Sequence, residues 1–176
     1  MNNFHPIEDA SSTANLYMPI LLKMVNVESI IDFGCNVGVW LNAAIVNGVS
    51  DVLGVDGDNM RSHLRFPENQ FVSHDLTQSL NLGRRFSLAV CVEVAEHIEA
   101  VHAYTLINTI VTHADNVFWS AATPGQTGWN HVNEQPHEYW TEKFEKQGYI
   151  GTSLSEVLPV APHDYYRKNA WLFKKT

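Results

Sequence analysis

The sequence predicts an α/β fold: an open sheet of about seven strands, mostly parallel, with helices on both faces and an antiparallel hairpin at one edge. Three observations predict it. Short apolar runs of strand length alternate with helical stretches, the pattern of β-α-β units. Acids stand at three successive strand ends, at Asp32, Asp56 and Asp75, where ligands collect in such sheets. The last two apolar segments follow one another without a clear helix between them, which suits two antiparallel strands.

Each element has its own justification. Residues 11–25 predict a first helix, with Ser11, Ser12 and Thr13 as cap candidates and Leu16, Ile20, Leu21 and Met24 on one stripe. Pro19 is a kink point within it. Ser29 to Phe33 is a short apolar strand that stops at Gly34. A helix follows from Gly38 to Asn47, closed by Gly48. Asp51 to Val55 is the second strand, Asn59 to Leu64 is helical, and Gln70 to Ser73 is the third strand. After a loop with Gly83, Arg84 and Arg85, Phe86 to Val92 is the most apolar strand. Ala100 to Thr112 reads as a helix, with Val101, Tyr104, Leu106, Ile107 and Ile110 apolar. Asn116 to Ser120 is strand five. The polar segment Ala121 to Pro136 is long for a connection, and such loops tend to be functional. His137 to Gln147 is a helix closed by Gly148. The stretches up to Leu158 and from Ala170 to Phe173 supply the final strands.

Composition narrows the function. The 176 residues carry 11 Lys and Arg against 19 Asp and Glu, a formal charge of −8, which argues against general nucleic-acid binding by phosphate neutralisation. No stretch approaches the ~20 apolar residues of a membrane span. Met1 to Ala10 has no basic segment leading into an apolar run, so no signal peptide is expected. Two cysteines, Cys35 and Cys91, make no disulfide framework and suit a cytoplasmic protein with reduced thiols. His5, His63, His102, His113, His137 and His163 show no partner pattern and read as surface or ordinary polar positions.

Asp32-Phe33-Gly34-Cys35-Asn36-Val37-Gly38, the Gly54-Val55-Asp56-Gly57-Asp58 segment and Phe86 to Ile98 together resemble the first, second and fourth motifs of the class I S-adenosylmethionine-dependent methyltransferases, a Rossmann-like family. The stretch Ser120 to Trp140, with His131-Val132-Asn133-Glu134-Gln135, is similar to a small bacterial and phage-type subgroup carrying a GHVNEQ-like loop. The resemblance implies a single domain: an N-terminal helical segment over 1–28, a cofactor-binding core over 29–120, and an acceptor side over 121–176. It implies S-adenosyl-L-methionine as cofactor, contacted by Asp32, Gly34, Cys35, Gly38, Asp56, Gly57, Asp75, Leu76 and Glu93. Asp56 is expected to accept the ribose hydroxyls and Asp75 the adenine amino group, while Asp32 orders the glycine turn and faces the cationic methionine end. Asn36 stands where the family often has a further glycine, and Asn tolerates the left-handed conformation such a turn needs. Gly34 and Gly38 let backbone approach the ligand and helix pack on strand.

Methyl transfer from a sulfonium is an in-line displacement in which alignment of the acceptor does much of the work. An oxygen acceptor must also lose its proton. His131 and His97 are the catalytic candidates. Glu93, Glu96, His97 and His131 together form a candidate divalent-metal set, resembling the site of small-RNA 2′-O-methyltransferases and of certain quinone O-methyltransferases. The expected acceptor is a hydroxyl of a small molecule or sugar. The rivals are a metal-assisted RNA or nucleotide methyltransferase and a non-catalytic cofactor-binding regulator. Tyr139 and Trp140 are expected to pack the following helix. Tyr166 to Asn169 matches a Tyr-Arg-x-Asn element of related proteins, after a shortened stretch beyond Gly148. Arg167, Lys168, Lys174 and Lys175 form a short basic group that either touches a phosphate or protects an edge strand.

Overall fold

The computed structural model describes residues 10–161 and 164–176, so the expectations for His5 and His163 lie outside the described residues. Seven strands form one sheet: β1 (Ser29–Phe33), β2 (Asp51–Asp56), β3 (Phe71–Ser73), β4 (Leu88–Val92), β5 (Asn116–Ser120), β6 (Tyr149–Ser153) and β7 (Trp171–Lys175). Their spatial order is β3-β2-β1-β4-β5-β7-β6. The strands from β3 through β5 pair in parallel, and β7 pairs antiparallel with both β5 and β6. This is a mixed, Rossmann-like sheet. The order reverses between β1 and β4, which opens a crevice at their carboxyl ends.

The central strands β1, β4 and β5 are largely apolar because both faces are covered. Ile30, Leu88, Val90, Phe118 and Leu172 belong to one buried layer with Tyr17, Met18 and Leu21 of α1 (Ser11–Met24) and Trp40 and Leu41 of α2 (Val39–Val46). Their strand neighbours Ile31, Ala89, Cys91, Val117 and Trp119 belong to a second layer. It includes Leu106 and Ile110 of α3 (Ala103–His113) and Trp140 and Phe144 of α4 (His137–Glu145). Trp140 packs against Trp119 at 5.1 Å between rings, the packing role expected of it. Cys35 and Cys91 are buried free thiols, one in each layer.

Several local expectations need correction. None of Ser11, Ser12 and Thr13 caps α1; its N-cap is Ala10, and Ser11 Oγ instead accepts from Arg65 at 2.7 Å. The buried stripe of α1 runs through Ala14, Tyr17, Met18 and Leu21, while Leu16 is 40% exposed, because α1 packs on α2 and the sheet through its larger side chains. Asn59 to Leu64 forms a 3-10 turn over Asp58–His63. Val101 lies in a 3-10 turn ahead of α3 and faces solvent. His113 is fully buried: its Nδ1 donates to Thr109 O at 2.7 Å and its Nε2 accepts from Leu82 N–H at 3.0 Å, pinning the loop before β4. A short helix, α5 (Asp164–Lys168), separates β6 from β7, so the edge pair is not a simple hairpin.

The basic group near the C-terminus is already engaged. Arg167 pairs with Asp164 and donates to Ser155 O, and Lys168 also reaches Asp164. Lys175 lies 3.6 Å from Asp115, and Lys174 donates to Met24 O. These side chains brace the edge of the sheet. The phosphate reading is therefore dropped.

Candidate functional site

A cavity of about 960 Å³ opens at the carboxyl ends of β1, β2 and β4. Gly34, Cys35, Asp56, Gly57, Asp75, Leu76 and Glu93 line it, and Glu96, His97 and His131 stand on the same wall. Asp32 and Gly38 do not. Asp32 is 1% exposed and sits below the floor with Oδ2 lacking a hydrogen-bond partner. Burial, then the nearby Asp56 charge, hold its pKa well above the ordinary carboxylate range. Gly38 serves packing: its φ is 82°, and a Cβ built there would overlap the Phe66 ring. Gly34 does both jobs, since it lines the cavity and a Cβ there would overlap Val94.

The turn after β1 is self-supporting. Asn36 takes φ 50°, the left-handed conformation expected of it. Its backbone N–H donates to Asp56 Oδ2 at 2.7 Å, and its side-chain Oδ1 accepts from Val37 N–H at 2.7 Å. Asp56 Oδ1 accepts from Gly57 N–H at 2.6 Å. Burial raises the Asp56 pKa, and these two N–H groups oppose the rise. Each carboxylate oxygen still has lone-pair capacity for a hydroxyl donor. Asp75 is exposed, and Thr77 holds its Oδ1 through backbone and hydroxyl, which lowers its pKa. Asn59, Met60, Trp40 and Tyr165 also line the cavity. No motif in the sequence singled them out.

The second cluster forms because the long loop after β5 docks on the turn after β4. The N–H groups of Val132 and Asn133 donate to Glu96 O at 2.8 and 3.0 Å. The His97 ring donates through Nδ1 to Asn130 O at 3.2 Å. These contacts bracket His131, whose ring meets His97 edge-on at 5.0 Å between centroids. One potential ligand atom from each of Glu96, His97 and His131 lies within 4.8 Å of the others. Glu96 is fully buried, and neither carboxylate oxygen has a hydrogen-bond partner. Burial and the neighbouring Glu93 charge push its pKa up to about 9.

Glu93 is not one of the three grouped ligands, but its carboxyl neighbours that of Glu96. It adopts φ 53° at the end of β4, and its Oε1 accepts from Ser120 Oγ and from Asn169 Nδ2 at 3.4 Å. Asn169 is 1% exposed and exchanges two hydrogen bonds with the Gln126 amide, at 2.8 and 3.2 Å. The C-terminal element thereby holds the long loop to the end of β4. Sequence reasoning also missed Glu134, whose Oε1 accepts from His131 Nδ1 at 2.8 Å and whose Oε2 accepts from Gly125 N–H at 2.8 Å. The available signal was an acid three residues after a histidine in a loop, which is common without meaning.

With this geometry in place, comparison with known proteins decides the family. Residues 10–115 match a family model described as a methyltransferase domain. The chain belongs to this methyltransferase family. The match runs from α1 to α3 and takes in β1, α2, β2, β3 and β4 between them, and the enzyme is an S-adenosylmethionine-dependent methyltransferase. No curated protein matches it significantly in sequence. Solved structures share the fold at low identity. The methyltransferase domain of bacterial CtHen1 aligns with TM-score 0.70 and 18% identity over 94% of this chain and 97% of that one. The sugar N-methyltransferase KedS8 from a Streptoalloteichus species gives 0.71 and 14%, over 96% and 88%. Magnesium protoporphyrin IX methyltransferase from Synechocystis, with S-adenosylhomocysteine bound, gives 0.65 and 16%, over 94% and 83%. Among the described residues, no helix is long and apolar enough to cross a membrane.

Proposed function

We propose that this methyltransferase methylates a hydroxyl of a small molecule or sugar, and that Glu96, His97 and His131 would hold a divalent cation beside the acceptor. The observation that carries the reading is the trio itself: three ligand atoms within 4.8 Å, one from a buried carboxylate with no partner. A buried carboxyl avoids the cost of its charge by keeping a proton, as the raised pKa of Glu96 allows, or by giving that proton up to bind a cation. The donor set of one carboxylate and two imidazoles suits Mn, Zn or Fe-type ions better than calcium.

The cofactor supplies a methyl group already activated by its cationic sulfur. Asp56 accepts the ribose hydroxyls on lone pairs not used by Asn36 and Gly57, and Asp75 accepts the adenine amino group on the oxygen Thr77 leaves open. Leu76 packs on the ring. Glu96, His97 and His131 would hold the divalent ion, which when bound would supply Lewis acidity toward an acceptor hydroxyl. His97 and His131 each engage Nδ1, with Asn130 and Glu134 respectively, so each has its Nε2 lone pair to offer. Glu93, fixed by Ser120 and Asn169, holds the end of β4 in its left-handed turn.

The test is turnover before and after metal stripping, with tritiated cofactor and panels of sugars, nucleotides and short RNA ends. Activity lost in chelator and restored by Mn²⁺ or Mg²⁺ is expected; full turnover in excess chelator overturns the metal. The formal charge of −8 favours an acceptor with few phosphates. The likeness in fold to the bacterial Hen1 domain, together with the trio, supports a ribose at an RNA end as the second reading. Oligonucleotides with and without a terminal 2′-hydroxyl separate the two.

A further inference from the structure

We infer that Glu134 is a positioning residue: it sets the tautomer and orientation of His131 so that Nε2 keeps its lone pair for a metal. The inference rests on the metal reading above and extends it to the residue that holds a ligand in place. Three observations support it. Glu134 Oε1 accepts from His131 Nδ1 at 2.8 Å, with the two side chains only 17% and 16% exposed, so the contact is shielded from competing water. An ionised carboxylate has no proton to give, so His131 must be the donor and Nδ1 must carry the hydrogen. The lone pair is then on Nε2. The second carboxylate oxygen accepts from Gly125 N–H at 2.8 Å, which ties Glu134 to the start of the same loop and fixes the carboxylate plane.

Gly128 completes the mould. A Cβ built there would overlap the His131 ring, so the ring seats against a position where no side chain stands. His131 is thus held on one edge by Glu134 and on one side by Gly128, within a loop docked by Val132 and Asn133 on Glu96 O. Partners of this kind on metal-binding histidines fix the tautomer and raise ligand basicity, and losing one typically costs about 10–100-fold in metal affinity.

Glu134→Gln is the discriminating variant. An amide has one acceptor oxygen where the carboxylate has two, so it cannot satisfy both His131 Nδ1–H and Gly125 N–H. If its oxygen goes to Gly125, its NH₂ faces His131 and selects the tautomer with hydrogen on Nε2, which cannot bind metal. Glu134→Asp keeps the charge with a shorter reach.

The experiment titrates Mn²⁺ and Co²⁺ into the metal-stripped wild-type, Glu134→Gln, Glu134→Asp and His131→Ala proteins. Affinity is read by calorimetry and the ligand field by Co²⁺ visible absorption, with S-adenosylhomocysteine affinity and thermal midpoint as controls for folding. The expected result is an affinity loss of about 10–100-fold for Glu134→Gln, partial recovery in Glu134→Asp and a loss at least as large in His131→Ala. A changed Co²⁺ spectrum in Glu134→Gln, with cofactor affinity retained, is also expected. Wild-type affinity and spectrum in Glu134→Gln beside a weakened His131→Ala overturn the role of Glu134 and leave the metal reading standing. Absence of Mn²⁺ and Co²⁺ binding to the wild-type protein overturns both.

Discussion

Asp32 is the penultimate residue of β1, paired with Gly54 on one side and Val90 on the other, with one carboxylate oxygen unpartnered. Its folded-state pKa is raised by burial and by Asp56, so the folded protein keeps a proton that the unfolded chain releases. Stability of the ligand-free protein therefore falls as pH rises above about 4, through the raised pKa. Asp32→Asn is expected to flatten that fall and raise the thermal midpoint near pH 8, read by scanning calorimetry across pH. An unchanged profile would remove Asp32 as its source. For Glu96→Gln the expectation is loss of Mn²⁺ affinity by at least tenfold with cofactor affinity kept, measured by paired titrations. At this scale the sequence was most legible where chemistry sits in short contiguous runs: Asp56, Asp75, Asn36 and the Glu96-His97 pair. Glu134 was not legible, because its meaning depends on a ring orientation and on Gly125, nine residues away in a loop.

Among the elements, β1, β4 and β5 were the most readable strands because each is a short, largely buried apolar run. Helix α5 was not, since five residues reading Asp-Tyr-Tyr-Arg-Lys carry no periodicity and their order comes from Arg167 and Lys168 closing on Asp164. The stripe of α1 was misplaced because Tyr17 and Met18, rather than Leu16, meet Trp40 and the sheet. The long loop was legible as functional but not its anchor. Asn169 holds it through the reciprocal amide pair with Gln126 and reaches Glu93 on β4. Asn169→Ala removes the two hydrogen bonds to Gln126 and the one to Glu93, which keep Thr123 N–H and Ser120 Oγ respectively, and a loss of about 1–3 kcal/mol in urea unfolding is expected, with turnover falling more than cofactor affinity. Gly38→Ala strains a left-handed N-cap against the Phe66 ring, and a loss of about 1–3 kcal/mol is expected by the same measurement.

Over the whole molecule, the acid-rich composition reads as a division of labour. Asp32, Asp56, Glu93 and Glu96 gather at the carboxyl ends of β1, β2 and β4, under and along one cavity. That arrangement suits a cationic cofactor and a divalent ion better than a polyanion. Cofactor at 100 times its Kd is expected to stabilise the folded state by about 2.7 kcal/mol, visible as a concentration-dependent thermal midpoint. The family match ends at residue 115, before the long loop and the C-terminal elements, and the loop brings His131 beside Glu96 and His97. The most direct measurement is a crystal structure grown with S-adenosylhomocysteine and Mn²⁺, with anomalous scattering to locate the ion. One strong peak is expected, bonded to the Glu96 carboxylate and to Nε2 of His97 and His131, on the side facing the cofactor sulfur. Full cofactor density with no peak at the trio, or with the ion elsewhere, would contradict it.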